Sequence, residues 1–245
     1  METKRDLVVK LQQDILLWQG YKPTSGASAD RIGLGEIEGA FPGGAFPKRA
    51  IHEFITVYAE HAAACDGFIA GLLALLMNDG AACVWISTSR RLFPSSLRTF
   101  NVEPERIIFM DVKSDKDVLW VMEEALKCEG LAAAVAEVGQ LSQIASRRLQ
   151  LAAEAGGVTG FILRKDPSKT TSSVASARWL IRPLPSNAED GLPGLGFPRW
   201  KVDLLKVRNG RPGSWMLEWA GEAFAEVKQV RKEIIWPEQQ DRQIG

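Results

Sequence analysis

Two segments in this chain are apolar from end to end, and they constrain the fold more than any other feature. Ala81 to Ile86 and Leu131 to Val138 carry almost no polar side chains. A strand with one wet face alternates polar and apolar residues, so a continuous apolar run belongs to a strand covered on both faces. Such strands occur in parallel sheets with helices above and below. The surrounding pattern agrees. Ala50 to Tyr58 reads as a strand, Asp66 to Asn78 as a buried helix, Ser95 to Phe100 as a helix and Arg106 to Asp111 as a strand. Lys116 to Cys128 reads as an amphipathic helix, Ser142 to Ala155 as a helix and Val158 to Leu163 as a strand. This order predicts an α/β fold with a mostly parallel central sheet flanked by helices.

The pattern changes after Arg164. Asp166 to Ser176 is small and polar and reads as a loop, and Pro185 to Pro198 is too rich in proline and glycine for regular structure. Ala177 to Pro183, Trp200 to Arg208 and Trp215 to Trp219 read as strands, with a hairpin signal at Asn209-Gly210-Arg211-Pro212-Gly213. The second half is therefore expected to extend the sheet in antiparallel fashion. Three units follow: an N-terminal helix and linker (1–29), a core (30–220) and a C-terminal tail (221–245) that begins as a charged, helix-like segment.

Lys plus Arg and Asp plus Glu number 30 each, so the formal net charge is zero. A global basic field for nucleic acid is excluded, and any such contact needs a local patch. The three cysteines Cys65, Cys83 and Cys128 form no CxxC pair and point to no zinc site or disulfide framework. No signal-peptide run occupies Met1 to Leu11, and Phe68 to Met77 is too short to span a bilayer, so a cytoplasmic protein is expected.

Three segments resemble one family. They are Phe41-Pro42-Gly43-Gly44-Ala45-Phe46-Pro47-Lys48-Arg49-Ala50-Ile51-His52-Glu53-Phe54, then Arg147 to Gly157 followed by a strand ending Leu163-Arg164. The third is Ser176-Ala177-Arg178-Trp179 with Leu205 to Trp215. Together they resemble the ImuA family, the RecA-like component of a bacterial translesion-synthesis cassette, over roughly residues 30–220. The resemblance implies a RecA-like core. It also implies an accessory role in SOS-type error-prone DNA repair, with an ImuB-type polymerase homologue as partner and RecA or a second copy as further partners.

The nucleotide chemistry of a RecA-like core is not legible in the residues. A phosphate-binding loop needs G-x-x-x-x-G-K-[ST] between a strand and a helix, so that backbone N–H groups and a lysine meet the phosphates. The equivalent stretch here runs from Thr56 to Phe68. Gly67 is its one glycine, Phe68 stands where the lysine belongs, and no Lys or Arg lies between Arg49 and Arg90. Glu137 offers a carboxylate near the end of an apolar strand, where a metal could bind. Thr56, Gly67, Phe68 and Glu137 thus form a degenerate nucleotide site; neither catalysis nor a cofactor or metal is expected. An ATPase with an unorthodox site and a SulA-like cell-division inhibitor are the alternatives; SulA-like chains are shorter.

Other residues carry two readings each. Arg164, Lys165 and Lys169 border the polar loop and are candidate contacts for single-stranded DNA phosphates, or simply solvate it. Trp179, Trp200, Trp215 and Trp219 could stack on bases or pack against the sheet. His52, in a strand, and His61, in a loop, read as structural. Leu7, Leu11, Ile15 and Trp18 make one stripe on an amphipathic helix over residues 3–19. Ile234, Ile235 and Trp236 form an apolar cluster in a polar tail. Both are candidate partner-docking elements.

Overall fold

A computed structural model describes Leu7, Leu11 and residues 31–77, 80–165, 173–186 and 196–227. Two short 3-10 turns, Gly35–Ala40 and Pro42–Gly44, precede β1 (Ile51–Ile55) and α1 (Ala59–Leu76). Then come β2 (Ala82–Ser87), 3-10 turns at Pro94–Phe100 and Pro104–Arg106, β3 (Ile107–Asp111), α2 (Asp115–Leu126), β4 (Leu131–Val138), α3 (Gln143–Gly156) and β5 (Thr159–Arg164). The remainder is β6 (Ala177–Leu184), β7 (Arg199–Val207), β8 (Gly213–Trp219) and β9 (Phe224–Glu226).

All nine strands form one sheet in the order β3-β2-β4-β5-β1-β6-β7-β8-β9. Strands β1 to β6 are mutually parallel, and β7 to β9 run antiparallel at one side. The expected α/β architecture, with its antiparallel extension, is the one observed. Chain direction explains the layering. The crossover from β1 to β2 moves one way along the sheet, and those from β3 to β4 and from β4 to β5 move the other way. Right-handed crossovers of opposite direction place their helices on opposite faces. Accordingly α1 packs in one hydrophobic core and α2 with α3 in a second.

The α1 side is aromatic. Trp179, Trp200 and Trp219 are buried there with Phe54, Phe68, Phe100 and Phe224. Trp179 stacks on Phe54 with ring centroids 5.9 Å apart, so these tryptophans pack the core and are not open to bases. Helix α1 must come close to this layer, and two glycines permit it. A Cβ on Gly67 would lie 3.2 Å from Phe100, and one on Gly71 would lie 2.6 Å from Phe224. By length and composition α1 could cross a membrane, yet more than half of it is buried on the sheet.

Several boundaries differ from the sequence expectation. The strand expected to reach Tyr58 stops at Ile55, and α1 begins at Ala59, which moves His61 from a loop into a buried helical position. The turn at Pro94–Phe100 is 3-10, not α-helical. Where a helix-like tail was expected from Glu222, the chain turns at Gly221 (φ 75°) and returns as β9. Phe224 drives this return, because its ring fills the space between Phe68, Trp200 and Trp219. The sheet therefore continues past the expected core boundary at residue 220.

Substitution of Gly71 by alanine tests the close approach. Alanine favours a helix over glycine by about 1 kcal/mol, but overpacking a filled core costs about 1–3 kcal/mol. Gly71→Ala is expected to lower stability in urea titration. The same change in a Phe224→Ala background is expected to cost less, with the Trp219 ring, 3.1 Å from the new Cβ, the remaining close contact.

Candidate functional site

Ligand sites in open parallel sheets lie beyond the carboxyl ends of the strands, where the chain leaves two neighbours in opposite directions. Here that point lies between β2 and β4: β2 continues to β3 on one side, and β4 to β5 on the other. Glu137 lies near the end of β4, 1% exposed. Its Oε1 accepts the indole N–H of Trp85 at 3.1 Å. Its Oε2 accepts from Arg91 at 3.2 Å and lies 3.1 Å from Lys165 Nζ. Two side-chain cations thus occupy the outer side of the carboxylate, where a divalent ion would otherwise approach it. Among the described residues no group of three His, Cys, Asp or Glu is placed to hold a metal.

The connection from β1 to α1 is three residues long: Thr56, Val57 and Tyr58. Thr56 is tied down by both its N–H and its hydroxyl, which donate to Arg164 O at 2.9 and 2.8 Å. Gly67 and Phe68 are not in this loop. They lie more than two turns inside α1, with Phe68 fully buried against Phe54 and Trp179. So the four residues grouped from sequence separate: Thr56 and Glu137 reach the carboxyl end of the sheet, and Gly67 and Phe68 serve the aromatic core. Phosphate cradles use a longer glycine-rich loop whose N–H groups converge.

Asp66 on α1 joins the Glu137 cluster electrostatically. Burial raises its pKa first, and the Glu137 charge raises it further. Arg91 and Lys165 pull the other way, leaving it at about 7. Its Oδ1 is shielded from solvent and has no hydrogen-bond partner.

A second cluster, built around a fully buried acid, lies on the α2–α3 face of β1. Glu53 is 0% exposed and receives Arg164 Nη1 at 2.8 Å, Arg178 Nε at 2.8 Å and the Ser173 hydroxyl at 2.7 Å. Burial alone would raise the Glu53 pKa, but the bonds from Arg164, Ser173 and Arg178 outweigh it and hold the carboxyl below its usual range. This places Arg164 inside the protein, 1% exposed. Its assignment to DNA phosphate is corrected: it sits at the end of a central strand, turned toward a buried acid. Lys165, the next residue, faces Glu137 and keeps about a third of its side chain in water.

Lys169, Ile15, Trp18, Ile234, Ile235 and Trp236 lie outside the described residues. Leu7 and Leu11 are helical and half exposed. The basic pairs mostly find acids. Arg90 binds Asp111 at 2.7 Å, Arg148 binds Glu123, and Arg182 binds Asp203. The ion cluster at Glu53 was missed from sequence. Its one signal was a charged residue inside Ile51-His52-Glu53-Phe54-Ile55, a strand buried throughout.

Removing one member of a buried ion network strands the others, at a cost of about 3–5 kcal/mol. Glu53→Gln is expected to lose that much in denaturant unfolding, whereas Asp111→Asn, at an exposed pair, changes stability by less than about 1 kcal/mol. A second prediction uses pH. Burial lowers His52 from 6.5 to about 4 despite its bond to Pro47 O, and Asp66 is raised from 3.8 to about 7. Between pH 4 and 6.5 the unfolded chain binds one more proton at His52, and the native chain one more at Asp66. The two slopes oppose each other. Asp66→Asn leaves the His52 slope alone, so relative to the parent its stability should rise by about 3 kcal/mol from pH 4 to 6.5. Parallel curves for the two proteins would refute the assignment.

Comparison with known proteins places the chain. No family model matches it. A protein named ImuA from Caulobacter vibrioides strain NA1000 is 35% identical over 199 residues, covering 76% of this chain and 82% of the relative. The same protein from strain ATCC 19089 matches equally. Among solved structures, SulA from Pseudomonas aeruginosa aligns with 49% of this chain and all of its own, at 23% identity and a TM-score of 0.42. At 35% identity across most of both chains, this chain belongs to the ImuA family.

Proposed function

We propose that this chain is a non-catalytic accessory protein of the ImuA/ImuB damage-tolerance system, acting in the cytoplasm during SOS-induced error-prone repair. It recruits or bridges an ImuB-type polymerase homologue for translesion synthesis, with RecA and a second copy of the chain as further partners. The observation that carries the non-catalytic part is the occupied carboxylate. Glu137 spends both oxygens on Trp85, Arg91 and Lys165, beside a three-residue β1–α1 connection. An ATPase would need a cradle for a tetra-anionic phosphate chain at this place. The described part of that connection instead offers a buried threonine bound to Arg164 O and two exposed side chains, Val57 and Tyr58.

Leu7 and Leu11 support the recruiting part, since two leucines one helical turn apart are left half exposed. Amphipathic helices of this kind dock by their apolar stripe. Lys165 and Lys169 remain a weak site for single-stranded DNA, with the Lys165 charge already set against Glu137.

The test has two arms. Mg-ATP is expected to give no saturable thermal shift and no hydrolysis above background; either would favour the ATPase alternative. Co-expression with an ImuB-type homologue is expected to yield a complex that Leu7→Asp/Leu11→Asp weakens at least about tenfold, the loss expected when one or two apolar anchors are removed. Co-purification with a division GTPase instead would favour the SulA-like alternative.

A further inference from the structure

Lys48, Arg49, Arg208 and Arg211 come from two distant segments and meet at the amino end of the parallel strands, the end opposite Glu137. Lys48 and Arg49 form the entry to β1. Arg49 is left-handed (φ 57°), donates its N–H to Thr159 Oγ1 at 3.4 Å, and lays its side chain over Gly157 at the end of α3. Arg208 opens the β7–β8 turn, which reaches the same end because β7 is antiparallel to β6. Its N–H donates to Ser176 O at 2.8 Å, and Ser176 N–H donates to Ile51 O at 2.8 Å, so Arg208 is two bonds from the start of β1. Arg211 N–H donates to Ala40 O at 2.8 Å, and Gly210 lies so close to that carbonyl that a Cβ would stand 2.3 Å from it. The turn is thus clamped to the segment that leads into Lys48.

All four side chains belong to exposed residues. Among the described residues, Lys48, Arg49 and Arg211 have no ion-pair partner, and Arg208 has only Glu154, at 4.0 Å. Left-handed backbone at Arg49 and Asn209 costs of order 1 kcal/mol each, and it persists where the surrounding structure enforces it. No large hydrophobic side chain is exposed between residues 31 and 49 or between 206 and 213, and Leu205 at the edge of the turn is half exposed. Protein hot spots combine arginine with aromatic anchors, and no exposed aromatic ring lies in either segment. Unpaired cations without an aromatic anchor match a ligand with closely repeated charges whose contacts are electrostatic, which is the phosphate backbone of a nucleic acid.

We propose that Lys48, Arg49, Arg208 and Arg211 form a sequence-independent binding face for the phosphate backbone of nucleic acid. It stands apart from the partner reading above and lies at the other end of the sheet from Lys165.

The full chain is titrated against a fluorescein-labelled single strand of about 30 nucleotides and its duplex at several salt concentrations, with anisotropy as readout. The parent is expected to bind with a steep salt dependence. Lys48→Glu/Arg211→Glu changes two exposed side chains and keeps the Arg211 main-chain bond. It is expected to bind at least about tenfold more weakly, and the neutral pair Lys48→Gln/Arg211→Gln to flatten the slope of log K against log salt by about 1.5. A thermal melt matching the parent shows that both are folded; if the glutamate pair is not, the glutamine pair alone is decisive. Arg90→Gln/Lys113→Gln, two exposed cations at the carboxyl end of the sheet, is expected to bind as the parent does. The proposal is overturned if the parent shows no saturable binding at low salt, or if the folded amino-end variants bind as the parent does. Loss confined to the Arg90/Lys113 variant, or equal affinity for polyglutamate, overturns it as well.

Discussion

The join between the parallel and antiparallel halves of the sheet depends on one buried acid. Glu53 sits in the middle of β1, between β5 and β6, and takes a cation from each: Arg164 from β5 and Arg178 from β6. Burying an unpaired carboxylate costs several kcal/mol, so the arrangement is stable only with both partners in place. That requirement fixes register. Arg178 stands directly opposite Glu53, and a one-residue slip of β6 would send it to the other face. Ser173 adds a third donor and draws the segment before β6 over the cluster, where Val174 N–H donates to Ser146 on α3 at 3.0 Å.

The same register organises the opposite face. With Glu53 turned toward α2 and α3, its neighbours His52 and Phe54 must turn toward α1. Arg178 likewise sends Trp179 to that side. Trp179 donates its indole N–H to His52 Nδ1 at 3.3 Å, and His52 Nε2 lies 2.8 Å from Pro47 O. Both contacts are satisfied by a neutral ring carrying its proton on Nε2. A second proton on Nδ1 would face a donor, which accords with the depressed pKa of this buried ring. Phe46 stacks on His52 with centroids 4.2 Å apart, and so the segment entering β1 is held by the strand it precedes.

How much of this could be read from sequence follows from the range of each interaction. Strands β2 and β4 were legible because burial on both faces leaves a local record, an unbroken apolar run. Helix α2 was legible from its amphipathic pattern, although the Ser114 cap that starts it was not read. The start of α1 was not, because Tyr58 supplies no side-chain cap and the alanines from Ala59 to Ala64 carry no strong period. The Glu53 cluster was illegible for a different reason. Its partners lie 111 and 125 residues away, and Arg164 looks like a loop-edge cation until the acid opposite it is known. Strand β9 is similar. Gly221 marks the turn, but only the space between Phe68, Trp200 and Trp219 makes Phe224 return to the sheet.

Charge distribution completes the argument about where ligands can act. A net charge of zero says only that the totals agree. At the carboxyl end the cations around the candidate site have acids: Arg90 has Asp111, while Arg91 and Lys165 share Glu137. The Glu137 pairs rest on a buried carboxylate, so an anion arriving there would have to draw Arg91 and Lys165 away from it. At the amino end, among the described residues, Arg208 faces Glu154 at 4.0 Å and Lys48, Arg49 and Arg211 pair with no acid. An anion arriving at this end displaces only water and counterions, which is the favourable exchange in polyelectrolyte binding. At the candidate site, where this architecture ordinarily does its chemistry, the nearest cations are therefore committed to Glu137, and the opposite end presents cations that no described acid holds.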